Sequence, residues 1–169
     1  MKTTKKGFTL IELIVVIAII GVLAMILVPS MLGYVRKSKV SSANSAAATV
    51  QKAMNTSLIE LDEEGVDIST AASVDKTKGA SAVTGDLATE LGPKLKSYLD
   101  DFDRVAFKCH IDGGICDAVA ASPDGVYSGT YPAGVVTADN VKENYPGTDA
   151  GLTKALEGAQ AKVKANKTA

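Results

Sequence analysis

The sequence predicts an α+β protein in which a long N-terminal helix packs on a small antiparallel β-sheet and a short C-terminal helix follows. Three observations predict it. An apolar run from Phe8 to Val28 leads into an apolar stripe at helical spacing that reaches Leu61. Residues 104–137 hold short strand-like runs separated by turn sequences. Residues 152–165 return to helical spacing.

The first element begins after a basic segment. Lys2, Lys5 and Lys6 stand directly before the Gly7-Phe8 junction, and residues 1–7 form a leader. The run Phe8 to Val28 is uncharged apart from Glu12. At helical rise it spans roughly 30 Å, enough to cross a hydrocarbon core. A cleaved secretory signal would have an apolar region of about 7–15 residues and a small-x-small end. This run is longer and closes on Ile26-Leu27-Val28-Pro29-Ser30. A carboxylate at mid-helix costs about 2.5–3.5 kcal/mol on insertion scales, and intramembrane acids mark functional sites. Glu12 lies about one turn past Phe8, where it can snorkel in a plain signal anchor. A cut between Gly7 and Phe8 would put a new amine on Phe8 near the depth of Glu12. Between two chains staggered by about one turn, that cation and this anion pair directly and set register.

Lys5-Lys6-Gly7-Phe8-Thr9-Leu10-Ile11-Glu12-Leu13 resembles the processing motif of type IV prepilins and related pseudopilins. The match is close over about residues 1–35 and general beyond. The short leader and Phe8 resemble the type IVa subgroup. The resemblance implies a ladle-shaped subunit, cut after Gly7 by a prepilin peptidase and N-methylated on Phe8 by the partner methylase activity. It implies that Glu12 pairs with the Phe8 amine of a neighbouring subunit in a growing filament. It also implies that the segment between Gly21 and Pro29 unwinds in the filament, with Gly33 weakening the same region.

The helix continues over residues 29–64. Proline kinks a helix but need not end it when neighbours absorb the lost hydrogen bond. Ala43, Ala47, Val50, Met54, Leu58 and Leu61 recur at spacings of three and four, one stripe suited to a sheet. Gln51, Lys52, Asn55 and Glu60 fall on the face left to water or to other subunits. Asp62-Glu63-Glu64-Gly65 ends the helix. Residues 65–103 read as a connecting region: an exposed loop to residue 85, then a short helix capped by Asp86, broken at Gly92-Pro93 and followed by another turn or two at Leu95 and Leu99. Residues 104–137 form the meander, with strands Arg104 to Ile111, Ile115 to Ala121, Val126 to Tyr131 and Val135 to Thr137. Residues 138–169 form a C-terminal region with a helix carrying Leu152, Leu156, Ala159 and Val163. A helical tail departs from the usual end of a type IVa pilin.

The chain has 18 basic and 19 acidic residues. Without the leader lysines it is net acidic, which gives no electrostatic case for dedicated nucleic-acid binding. The leader lysines orient residues 1–7 to the cytoplasm and the rest outside it, although Arg36, Lys37 and Lys39 flank the other side. Cys109 and Cys116 are the only cysteines. They flank Asp112-Gly113-Gly114, a tight turn that makes the two cysteines face each other across a hairpin. Outside the cytoplasm a disulfide is permitted, worth about 2.5 kcal/mol in the chain-entropy model; two free buried thiols are the alternative.

No catalytic constellation is present in the sequence. His110, the sole histidine, adjoins Cys109 on a strand, so the two side chains face opposite ways. The runs Asp62, Glu63, Glu64, Asp67 and Asp100, Asp101, Asp103 have the chemistry of a calcium site but read as solvated acids. No cofactor or metal is expected. Asn55-Thr56-Ser57 and Asn166-Lys167-Thr168 match the N-glycosylation pattern, and Tyr127, Tyr131 and Tyr145 read as half-buried strand residues.

The expected function is that of a structural subunit, not an enzyme. It would be a single-pass protein of the cytoplasmic membrane, in contact with lipid before assembly and part of an extracellular homopolymer afterwards. Its partners would be identical subunits, the prepilin peptidase/N-methyltransferase and the pilus assembly machinery. The fibre would serve adhesion, twitching motility or DNA uptake; its surface ligand is not read from the chain. The alternatives are a pseudopilin of a type II secretion or competence system and a membrane-anchored binding domain.

Overall fold

The computed structural model describes residues 8–168. Gly7 and the rest of the leader, including Lys2, Lys5 and Lys6, lie outside the described residues. The chain divides into two compact units, one up to Arg36 and one from Lys37 onward. Helix α1 spans Leu10–Glu63.

In the first unit every described residue from Phe8 to Val35 is exposed. The helix there is long and apolar enough to cross a membrane. It runs through Pro29, whose ring removes the N–H that would bond the Met25 carbonyl. Ser30 Oγ donates to the Leu27 carbonyl at 3.0 Å in the same turn.

The second unit is a five-stranded antiparallel sheet with helices on both faces. Its elements are β1 (Ser73–Lys76), β2 (Thr84–Gly85), α2 (Ala88–Tyr98), β3 (Ala106–Asp112), β4 (Ile115–Ser122), β5 (Gly129–Tyr131) and α3 (Asp149–Lys167). The strand order is β2-β1-β3-β4-β5. One core joins the stripe of α1 (Ala47, Val50, Met54, Leu58 and Leu61) to Leu91 and Leu95 of α2 and to Val74, Phe107, Cys109 and Val119 of the sheet. Each large side chain so buried contributes about 1.5–3 kcal/mol. The other face carries a smaller core of Ala106, Ala120, Val136, Val141, Leu152 and Ala155, closed by α3.

Strand parity explains how one hairpin serves both cores. The β3–β4 turn is the two-residue Gly113-Gly114, both with positive φ (60° and 78°), as a tight hairpin requires. Ile111 pairs with Cys116, but His110 pairs with Ala118, so the register slips by one residue at Asp117. This bulge turns Val119 and Ala121 toward α1 and leaves Ala118 and Ala120 for the opposite face.

Three amides on α1 hold the sheet. Asn55 Oδ1 accepts the Cys116 N–H at 2.7 Å, while Asn55 Nδ2 and Gln51 Nε2 donate to the Cys116 carbonyl. Asn44 Oδ1 accepts the Thr130 N–H at 2.8 Å. Gln51 and Asn55 are therefore not on the solvated face where helical spacing alone puts them. The sheet edge curls far enough round the helix to reach them.

Several further expectations are corrected. Residues 65–85 are not all loop: β1 pairs with β3 and buries Val74 and Lys76. Lys76 Nζ donates to the Val105 carbonyl at 3.2 Å and sits 4.7 Å from the centre of the Phe102 ring. Asp86 does not cap α2, whose N-cap position is Leu87 in a left-handed conformation. The Asp86 carboxylate instead accepts the backbone N–H groups of Ala72 and Ser73, which hold its pKa below the usual carboxylate range. Helix α2 passes through Pro93, because fully buried Leu91 and Leu95 anchor both sides of the one lost hydrogen bond. Val135 to Thr137 is not a strand, and the run from Val126 contracts to β5. Val136 is buried instead under α3. Helix α3 begins earlier, at Asp149 behind the Thr148 cap, and ends at Lys167.

The close approach of β5 to α1 depends on glycine. A Cβ on Gly129 would run into the backbone of Ala43 and Asn44. Gly129→Ala is expected to lower stability by about 1–3 kcal/mol in urea unfolding of the detergent-solubilised chain. Gly92→Ala, whose Cβ would sit 3.6 Å from Val83, is the control and leaves the midpoint unchanged or higher.

Candidate functional site

The first turn of α1 is built around Thr9 and Glu12. Thr9 precedes the first helical residue, Leu10, so it is the N-cap and Glu12 is the third helical residue. The Thr9 backbone N–H donates to Glu12 Oε2 at 2.8 Å, and the Thr9 hydroxyl donates to the same oxygen at 2.5 Å. In return the Glu12 N–H points to Thr9 Oγ1 at 3.4 Å. This is a reciprocal capping box, which satisfies donors that a helix start leaves open. The carboxylate also faces the positive end of the helix dipole. Thr-x-x-Glu is legible in the sequence as a capping signal, and Thr9 is the functional residue that the sequence reading passes over.

Around the acid the surface is apolar. Phe8, Ile11, Val15 and Val16 border Glu12 in a shallow groove, and Phe8 is 81% exposed. The site therefore presents one carboxylate on a greasy surface, with one oxygen occupied by its own chain. Glu12 Oε1 makes no hydrogen bond among the described residues. An ammonium from outside the chain can bind there without undoing the cap.

Gly21, Pro29 and Gly33 all lie within α1. A Cβ at either glycine would meet nothing within 4 Å. Among the described residues no packing contact requires glycine at these positions, although each costs the helix about 1 kcal/mol relative to alanine.

Cys109 and Cys116 are unbridged thiols, both fully buried. They are not directly opposite each other. Cys109 pairs with Val119 and Cys116 with Ile111, so the two are diagonal neighbours on the α1 face of the hairpin. Burial, followed by a hydrogen bond with Cys116, pushes the Cys109 pKa well up, so Cys109 lacks the exposed, ionised character of a nucleophile.

His110 faces the other way, with Nδ1 2.7 Å from Asp117 Oδ1. Lys167, in the last turn of α3, reaches Asp112 at 3.0 Å and Asp117 at 3.7 Å. These groups staple the end of α3 to the β3–β4 hairpin. Lys108 does the same at the start of α3, reaching Asp75 at 2.9 Å and Asp149 at 3.0 Å. Among the described residues no group of three or more His, Cys, Asp or Glu side chains is placed to hold a metal ion.

The family described as the prokaryotic N-terminal methylation motif matches residues 2–28, the stretch that holds Phe8, Thr9 and Glu12. Over its amino-terminal segment the chain is similar to type IV pilins. A type IV major fimbrial protein, FimA, of Dichelobacter nodosus is 45% identical over 67 residues, covering 40% of this chain and 42% of that protein. The fimbrial protein EcpC of Eikenella corrodens is 53% identical over 47 residues, 28% of this chain and 31% of its own length. The type IV major alpha-pilin of Moraxella bovis is 45% identical over 56 residues, 33% of this chain and 35% of that pilin. The chain thus matches less than half the length of these relatives. No solved structure matches.

The capping box is testable apart from any filament. Thr9→Val removes the hydroxyl that both accepts and donates, so amide hydrogen exchange at residues 10–13 in detergent micelles is expected to quicken. Thr9→Ser keeps the hydroxyl and is expected to keep the protection.

Proposed function

We propose that this chain is the structural subunit of a type IV pilus, cut between Gly7 and Phe8, N-methylated on Phe8 and polymerised through the apolar part of α1. The observation that carries the reading is Glu12, a lone carboxylate on an exposed apolar helix, one turn from the residue that becomes the amino terminus. Hydrolysis of the Gly7-Phe8 bond frees an amine on Phe8. The cation binds the Glu12 oxygen left open on a neighbouring copy, while Thr9 holds the other oxygen throughout. Thr9 satisfies the acid in the lone subunit, which lowers the cost of keeping it in lipid. The neighbour's amine then adds a charge pair in low dielectric. Register follows, because the pair forms only at one stagger.

The glycines support the same reading. Gly21 and Gly33 have no packing reason inside the chain, and small residues let transmembrane helices approach closely or bend. The segment Gly21 to Pro29 is the compliant part of the filament core. The subunit is a homopolymer-forming, non-enzymatic protein. It stands in the cytoplasmic membrane with residues beyond the helix outside the cytoplasm, and it becomes extracellular in the fibre. Its processing partner is a prepilin peptidase/N-methyltransferase, and its extrusion depends on a pilus assembly machinery. The fibre serves adhesion, twitching motility or DNA uptake.

Sheared surface filaments are expected to give a subunit whose amino terminus is N-methylated Phe8. A terminus still at Met1 removes the reading. Glu12→Ala is expected to insert and to be cut normally yet to yield few or no filaments; normal yield refutes the pairing.

We also propose that Cys109 and Cys116 form a disulfide in the exported domain. Their shared face and full burial support it. Forming the bond passes two electrons and two protons to a thiol–disulfide exchange partner. Because the folded site admits no reagent, oxidation precedes docking of the hairpin on α1. Unfolded, unreduced subunits are expected to weigh two hydrogens less than the dithiol and to resist alkylation. Two alkylated cysteines in that experiment overturn the bond.

A further inference from the structure

The second unit carries a pocket beside the middle of α1. It lies between α1 and the segment that follows α2, with a volume of about 210 Å³. Ala46, Thr49 and Val50 form one wall, and Leu99, Phe102 and Val105 form the apolar floor. Asp100 and Asp101 stand on the rim, both exposed. Asp101 has only a long, exposed contact with Arg104 at 3.8 Å. Asp100 has no ion pair or side-chain hydrogen bond among the described residues. An apolar floor under one unpaired and one loosely paired acid is the complement of a long cationic side chain, which lays its methylene stem on apolar surface and keeps its charge at the edge.

The chain supplies such a group. The exposed apolar stretch of α1 ends at Val35, and Arg36-Lys37 follows directly. Lys37 is exposed and makes no ion pair or hydrogen bond among the described residues. When copies bundle through the apolar stretch, this basic step is the first charge to enter the crowded zone and needs an anionic partner. The pocket meets the requirement because one of its walls is α1 itself, so a helix laid alongside reaches it. Three other acids are already engaged: Glu60 and Glu64 are held by Lys94 at 3.3 and 2.7 Å, and Asp124 by Lys39 at 3.7 Å.

We propose that the acid-rimmed pocket between α1 and residues 98–105 receives the basic Arg36-Lys37 step of a second copy of this chain. The inference rests on the filament reading and adds to it a contact outside the apolar core. The pocket selects for the stem by its floor and for the charge by Asp100 and Asp101. It thereby gives the subunit a second, salt-sensitive determinant of which neighbour it accepts.

Benzoylphenylalanine placed at exposed Thr49 in the full chain tests the contact. Ultraviolet irradiation of sheared filaments is expected to give a covalent dimer in which Thr49 of one copy is joined to the peptide holding Arg36 and Lys37 of the other. Filaments of normal yield that give no dimer, or link elsewhere, overturn the proposal. Charge reversal supplies the independent arm. Lys37→Asp and Asp100→Lys, each alone, are expected to lower filament yield roughly three- to five-fold, and the two together to restore it. Unchanged yield in the single variants, or no restoration in the pair, also overturns the proposal. An unsubstituted chain that forms no filaments strikes the filament reading itself, whereas normal wild-type filaments without this cross-link strike only the pocket.

Discussion

The architecture of the second unit depends on how closely α1 can lie against the sheet. Helix and sheet are both small where they meet: Ala43, Ala47 and Ala53 on one side, Gly129 and Ala121 on the other. Close approach brings the amides of Asn44, Gln51 and Asn55 within bonding distance of strand backbone. A bulkier stripe would hold the strands away and leave those polar groups buried without partners, a loss comparable to that of the packing itself. Small residues thus do two jobs, filling the interface and permitting the hydrogen bonds that fix its register. The bulge at Asp117 belongs to the same arrangement, since it lets the hairpin turn large residues toward α1 and alanines toward α3.

At the other end of α1 the problem is reversed. There the helix has apolar residues all round, and they are exposed among the described residues. One acid interrupts it, and the acid is spared full isolation by Thr9. A capping box normally serves to start a helix. Here it also keeps a charged group tolerable on an apolar surface while leaving one of its oxygens free. The same geometry that makes the lone chain bearable leaves one oxygen open, so in the proposed pairing folding and assembly do not compete for the carboxylate.

Legibility in the sequence followed the size of the repeating signal. The stripe of α1 shows because six residues share one spacing, and the β3–β4 hairpin shows because Gly113-Gly114 separates two apolar runs. β1 is hidden because its four residues include one apolar side chain, Val74, and a lysine that only the tertiary structure reveals to be buried. Pro93 looks like a break because sequence reveals the lost hydrogen bond but not the two leucines that outweigh it. Val136 looks like a strand residue because burial, not pairing, fixes its position. Of the site, Phe8 and Glu12 are legible from their motif. Thr9 was equally readable as a cap, but the apolar run around it draws attention to the membrane and away from the helix start. The diagonal placement of Cys109 and Cys116 follows from the two-residue Gly113-Gly114 turn, which sets Cys116 opposite Ile111 instead of Cys109.

The three amide contacts along α1 have a mechanical consequence. Asn44, Gln51 and Asn55 grip strand backbone along about three turns of one helix, at Thr130 and at Cys116. A pull along that helix axis loads these grips side by side, in shear, instead of peeling them one after another. Bonds loaded in parallel share the force and fail together, so the domain resists axial tension better than the strength of any single contact suggests. A perpendicular tug at the edge of the sheet finds no such sharing.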